Sequence, residues 1–229
     1  MKTKMKRFFF TVILCAPMIF ILAQNNFGVK LNAGVSTIKY KFDQTNIDYK
    51  NSLELSGQIG VFGEISIGKK SKLGSEITFS QIEGAETSSF EVLGDYGYPT
   101  GTVGYLNTRN NIHISYLTFP LYYGYKIDKM TINGGFQVAA VIFSSEVIKS
   151  TYTISGDITN YTQKQNDMNI DWFDFGPRIG IIYDLNSRLS IEGTYYHGIN
   201  NIIKENEAFA SMRIQQATIG LRYKLLTGK

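Results

Sequence analysis

Residues 173–202 read FDFGPRIGIIYDLNSRLSIEGTYYHGINNI. Phe173, Phe175, Ile179, Ile181 and Tyr183 stand at every second position, with Pro177 the one gap in the row. Asp174, Gly176, Arg178 and Gly180 sit between them. After the break DLNSR the alternation resumes, with Leu189, Ile191, Gly193 and Tyr195 on one phase and Ser190, Glu192, Thr194 and Tyr196 on the other. A period of two means strands, because successive side chains leave opposite faces of a sheet. Two such runs joined by a few turn-forming residues make an antiparallel hairpin. One face is aromatic and branched, the other charged and small. Which face is wet decides where the protein lives.

The start of the chain bears on that question. Lys2, Lys4, Lys6 and Arg7 precede an apolar run over residues 8–22, and Ala23 follows at a plausible cleavage point. This layout predicts a secretory signal peptide over residues 1–23, with a single domain over 24–229. The run is broken by Pro17 and is short for a spanning helix, which needs ~20 apolar residues. Cys15 follows Leu14 where a lipidated cysteine wants a small neighbour, so a lipid anchor is not expected. The chain holds 23 basic and 19 acidic residues, and the leader holds four of the basic ones. The mature chain is therefore balanced, which argues against nucleic acid as a partner. Cys15 is the only cysteine, so disulfides, thiol chemistry and cysteine-bound zinc are excluded from the mature chain.

The same alternation recurs along the chain. Val29, Leu31, Ala33 and Val35 oppose Lys30, Asn32, Gly34 and Ser36; Leu55, Ile59, Val61 and Ile65 oppose Gln58 and Glu64. Leu73, Ile77 and Phe79 oppose Glu76, Thr78 and Ser80; Leu117, Phe119, Leu121, Tyr123 and Tyr125 oppose Thr118, Tyr122 and Lys126. Further strands follow over 131–144, over the opening hairpin and over 212–226, where Arg222 stands on the polar phase. The expected fold is all-β, an eight-stranded antiparallel up-and-down transmembrane β-barrel. The connections alternate long and short. Long polar segments are expected at 41–52, 84–111, 146–169 and 201–211, and tight turns at 68–71, 128–130 and 184–188. In an up-and-down barrel every long connection then falls at one end, as in outer-membrane barrels with long external loops and short periplasmic turns. An even strand number leaves both termini in the periplasm.

A secreted soluble barrel with an apolar interior shares the period. Three features favour the membrane: the loop asymmetry, the mixed-sign polar phase, and tyrosines at strand ends (Tyr123, Tyr125, Tyr183, Tyr195 and Tyr223) suited to an interfacial girdle. The expected lumen charge network is Lys30, Glu64, Glu76, Lys126, Asp174, Arg178, Glu192 and Arg222. Arg178 is expected to pair with Glu192 and Asp174, or with Glu64 and Glu76 across the barrel.

FGVKLNAGVS (27–36), ISYLTFPLYYGYKI (114–127), FDFGPRIGIIYDL (173–185) and RLSIEGTYYHGINNI (188–202) resemble the outer-membrane β-barrel domain family labelled porin-family or PorT-like. The resemblance implies a small closed barrel in the outer membrane of a Gram-negative cell envelope. It is specific for fold and weak for function. One named group in that family serves a protein-secretion apparatus. Barrels of this type commonly end on an aromatic residue, whereas this chain continues from Tyr223 to KLLTGK.

No catalytic, metal or cofactor residues are expected. His113 and His197, the only histidines, fall on the outward phase near strand ends, where an interfacial role outweighs catalysis with Ser115. An eight-stranded lumen is filled by side chains, so a conducting pore is not expected. The segment 94–104 is glycine-rich but opens no helix, so it is no phosphate cradle. Tyr96, Tyr98 and Tyr105 are candidate loop contacts. The expected partners are outer-membrane lipid and a protein engaged through external loops, with the barrel itself a monomer. The expected role is a structural or surface-binding one without enzymatic activity, with an accessory subunit of a secretion machine as the alternative.

Overall fold

The computed structural model describes residues 26–42, 48–93, 103–154, 157–166, 168–203 and 209–227. They form nine strands: β1 (Asn26–Phe42), β2 (Asp48–Ser66), β3 (Ser71–Leu93), β4 (Val103–Ile127), β5 (Met130–Ile154), β6 (Asp157–Asn166), β7 (Phe173–Asp184), β8 (Leu189–His197) and β9 (Phe209–Thr227). The predicted leader and Tyr96 and Tyr98 lie outside the described residues.

Eight of the nine strands close a ring. Following register partners from Thr118 on β4, one path runs Thr78, Gly60, Lys30, Arg222 and Ser190 to Asp184 on β7. The other path runs through Ala139 on β5 to Asp174 on β7. The circuit thus closes on β7 with a stagger of ten residues, from 184 to 174. For eight strands about 4.8 Å apart this stagger sets a tilt of roughly 40°. Neighbouring strands all run antiparallel, and no edge is left in the wall.

The turns have local causes. Asp128, at φ 52°, opens the two-residue turn between β4 and β5, a conformation Asp tolerates better than most residues. Between β7 and β8 the Asn186 side-chain oxygen accepts from the Arg188 and Leu189 amides at 2.9 and 2.8 Å. Asn at this place mimics a backbone turn.

The wet face is the inside. Leu31, Phe136 and Ile219 are 63%, 66% and 65% exposed, and Ile59, Leu121 and Ile179 are likewise exposed on the outer wall. An apolar band on every side of a closed wall is the signature of a transmembrane barrel, and it excludes the soluble alternative. On β7 the outward row runs from Phe173 to Tyr183. Ten residues at this tilt rise roughly 25 Å, the height of such a band.

Two expectations on the connections are corrected. The segments 84–111 and 146–169 are in large part strand. β3 and β4 stay paired up to Leu93 and Val103. β5 runs on past the barrel to Ile154 and pairs with β6. Cross-strand pairing satisfies the backbone of these polar stretches, which hydrophobic alternation alone does not reveal. The upper parts of β2, β3, β4 and β5, with β6, therefore project from the wall as a five-stranded sheet.

Candidate functional site

The lumen is filled in layers. At the mouth on the side of the short turns Asp184 accepts from Lys126 at 2.8 Å, Lys224 at 3.3 Å and Ser190 at 2.7 Å. Lys126 is 47% exposed here and does not reach the buried charges, a correction to its expected place in the network. It stands one residue from the end of β4, below the enclosed lumen.

Above the mouth lies a dry charged layer. Glu192 receives Lys30 at 2.6 Å and Arg178 at 2.8 Å, while Arg222 approaches its other oxygen at 3.3 Å. That last contact is close enough for attraction but is not aligned as a hydrogen bond. Glu76 receives Lys30 at 2.8 Å and Arg178 at 3.3 Å, with Arg222 at 3.7 Å. Glu64 takes Arg222 at 3.1 Å, Lys72 at 3.0 Å and the Tyr122 hydroxyl at 3.0 Å. The Arg222 guanidinium lies 3.8 Å over the Phe62 ring. Gly74 makes room for this packing, since a Cβ there would lie 2.2 Å from the Tyr122 ring. Lys72 was not anticipated; it sits at the start of β3, where its polar phase beside Glu76 was the available signal.

The next layer is neutral and hydrogen-bonded: Gln58 to Gln216 at 2.6 Å, Thr194 with Thr218 at 2.8 Å, and Thr78 with Thr118. Asp174 belongs higher still. It accepts from the Tyr196 hydroxyl at 2.9 Å and makes no contact with Arg178, which corrects the expected pairing. Asp174 stands four residues up the strand from Arg178, which at strand rise exceeds the reach of an ion pair.

The outer third of the lumen is apolar, which the polar phase did not announce. Ile38, Ile82, Ile112, Ile114, Tyr116, Met212 and Ile214 pack there. Ile170 and Ile202, from the connections before β7 and after β8, pack into the same cluster. The Ile170–Ile203 bridge and the Asp171 amide on the Ile202 carbonyl at 2.6 Å tie these connections together over the opening.

The outer rim carries both histidines. His113 meets Glu83 at 3.2 Å and His197 meets Gln215 at 2.8 Å. Above the rim, Tyr105 lies on β4 rather than in a loop and is 52% exposed. β6 is exposed along its whole length, Ile158 and Tyr161 included, and pairs on one side only among the described strands.

A family model described as outer membrane protein beta-barrel domain matches residues 22–204. No curated protein matches the chain. Among solved structures the chain is similar to the attachment invasion locus protein Ail of Yersinia pestis, at 8% identity and TM-score 0.39 over 88% of this chain and 99% of that one. It is similar to the outer membrane protease OmpT of Escherichia coli, at 10% identity and TM-score 0.42 over 89% and 98%. It is also similar to the outer membrane protein OprG of Pseudomonas aeruginosa, at 12% identity and TM-score 0.36 over 89% and 97%. The family match spans most of the chain and accords with the closed ring and its apolar outer band, so the protein resides in the outer membrane and belongs to the outer membrane protein beta-barrel domain family.

Proposed function

We propose that this is a non-enzymatic surface-binding protein whose projecting sheet captures an extended segment of a protein partner along β6. The observation that carries the reading is the one-sided pairing of β6. Its ten residues are all exposed, and among the described strands its second edge has no partner, which leaves a row of backbone donors and acceptors for another strand. Such an edge is a template for another strand, and natural proteins usually blunt it. Ile158 and Tyr161 stand on opposite faces of β6 and offer apolar contacts on either side of an added strand. The filled lumen leaves the projection as the part of a monomeric barrel best placed to meet a partner.

The test is photo-crosslinking from Thr159 and Asn160 on intact cells, repeated with proline at each position. One of the two adjacent amides faces β5 and the other the open edge. The proline that removes the open-edge amide should abolish crosslinking and leave the barrel folded. The alternative, an accessory subunit of a secretion machine, predicts crosslinks from lipid-facing positions such as Ile179 and none from β6; that outcome would reject strand capture.

A further inference from the structure

At the outer edge of the wall two cations stand directly opposite each other. Lys39 of β1 is the register partner of Arg213 of β9, and both side chains are exposed. Each lies ten residues along its strand from the inner end of the band, Lys39 from Val29 and Arg213 from Tyr223, which are themselves partners. At the tilt of this barrel that distance rises roughly 25 Å, the full height of the apolar band. The pair therefore faces outward at the level of the outer-leaflet headgroups.

A second pair at the equivalent place shows the contrast. Glu83 and His113 also lie ten residues from their inner-end partners, Leu73 and Tyr123, and they bond to each other at 3.2 Å. A hydrogen-bonded pair across a ladder supports the strand pair, whereas like charges directly opposite disfavour it. None of the ion pairs among the described residues involves Lys39 or Arg213. Glu54, on the strand beside β1, is engaged by Arg109, and Glu83, one strand further along the wall, by His113. The neighbours one step down the wall, Gln215 and His197, are bonded to each other and bring no negative charge.

From this placement we infer that Lys39 and Arg213 form a binding site for the phosphate-bearing headgroup of an outer-leaflet lipid. An anion held between them converts the repulsion into two charge-assisted contacts, and the planar Arg213 fork suits a phosphate oxygen pair. The wall below supplies the second half of the site. Val35, Ala217 and Leu55, adjacent in register, form an apolar surface for the acyl chains of a molecule whose head is held above. That continuity favours a lipid over a free anion.

The test uses the folded protein in uncharged detergent, titrated with a bisphosphorylated glycolipid, the same glycolipid stripped of phosphate, and inorganic phosphate, with binding read by native mass spectrometry. The phosphorylated lipid alone should bind, and Lys39→Gln combined with Arg213→Gln should weaken it by at least about tenfold. Lys149→Gln combined with Lys164→Gln, an equal charge loss on the projection, should change it by less than about twofold. Lys39→Glu sets a carboxylate opposite Arg213, so it should fold, shown by heat-modifiable migration, and still lose binding. Equal binding of the stripped lipid, or an equal loss in the projection control, would overturn the site. Inorganic phosphate binding as tightly as the lipid would overturn the lipid assignment in favour of a free-anion site.

Discussion

Glu192 meets three cations, Lys30, Arg178 and Arg222, whereas Arg178 meets two carboxylates. The layer as a whole sets four cations, Lys30, Lys72, Arg178 and Arg222, against Glu64, Glu76 and Glu192. This imbalance ranks the substitutions. Arg178→Met leaves three charges of each sign and an apolar side chain of similar reach. Glu192→Gln leaves four cations with two carboxylates in a dry space. Breaking a buried pair by removing one partner costs about 3–5 kcal/mol, because the charge left behind is neither paired nor hydrated. Glu192→Gln should fall in that range and Arg178→Met at roughly half of it. Urea unfolding in lipid vesicles, followed by Trp172 fluorescence, measures both. A larger loss for Arg178→Met would show that local geometry, not the charge balance of the layer, governs stability.

β5 serves two structures along its length. Its lower residues, Met130 to Ala140, pair with β7 in the wall, and its upper residues, Ser145 to Ile154, pair with β6 in the projection. Between them the register of β5 against β4 shifts at Ser115/Tyr116. An extra residue there increases local twist and re-aims the strand, which suits a strand leaving the wall. The usual orientation of such barrels, short turns in the periplasm, predicts that β6 lies outside the cell. Cys15, the only cysteine of the chain, lies in the predicted leader, and cleavage there would leave no native cysteine to interfere with labelling. Thr159→Cys should react with a membrane-impermeant maleimide on intact cells. Lys70→Cys and Lys129→Cys should react only after the outer membrane is opened. Labelling of the turns on intact cells, with Thr159→Cys protected, would invert the topology.

On the scale of the whole barrel, a closed wall and a filled interior act together. Each strand of the wall has a hydrogen-bonded neighbour on both sides around the ring, which is what a span through hydrocarbon requires. A ring without an edge has no strand from which to unzip, so the folded form should resist cold SDS and shift in migration on boiling. Four successive layers cross the lumen: the Asp184 cluster, the charged layer, the glutamine and threonine layer, and the isoleucine-rich outer plug. Planar bilayers containing the pure protein should therefore show no stable unitary conductance. Reproducible single-channel steps would mean that the outer plug opens.

The sequence by itself determined the eight strands of the wall and, across the membrane band, the side on which their residues fall. Side-chain period is a local property of the chain, and register slips of one residue would turn every side chain over. In this way the alternation in 173–202 separated Arg178 and Glu192 from Ile179 and Ile191 before any contact was known. Tertiary structure decided who meets whom. Glu76 is distant from Arg178 in sequence, and only the ten-residue stagger brings them to one level; the same stagger sends Asp174 to Tyr196 and leaves Lys126 at the mouth. It also decided that 84–93, 103–111, 146–154 and 157–166 pair as strands and that the outer lumen is apolar. Those outcomes depend on which strands become neighbours and on how far each rises above the membrane, and closure of the ring sets both.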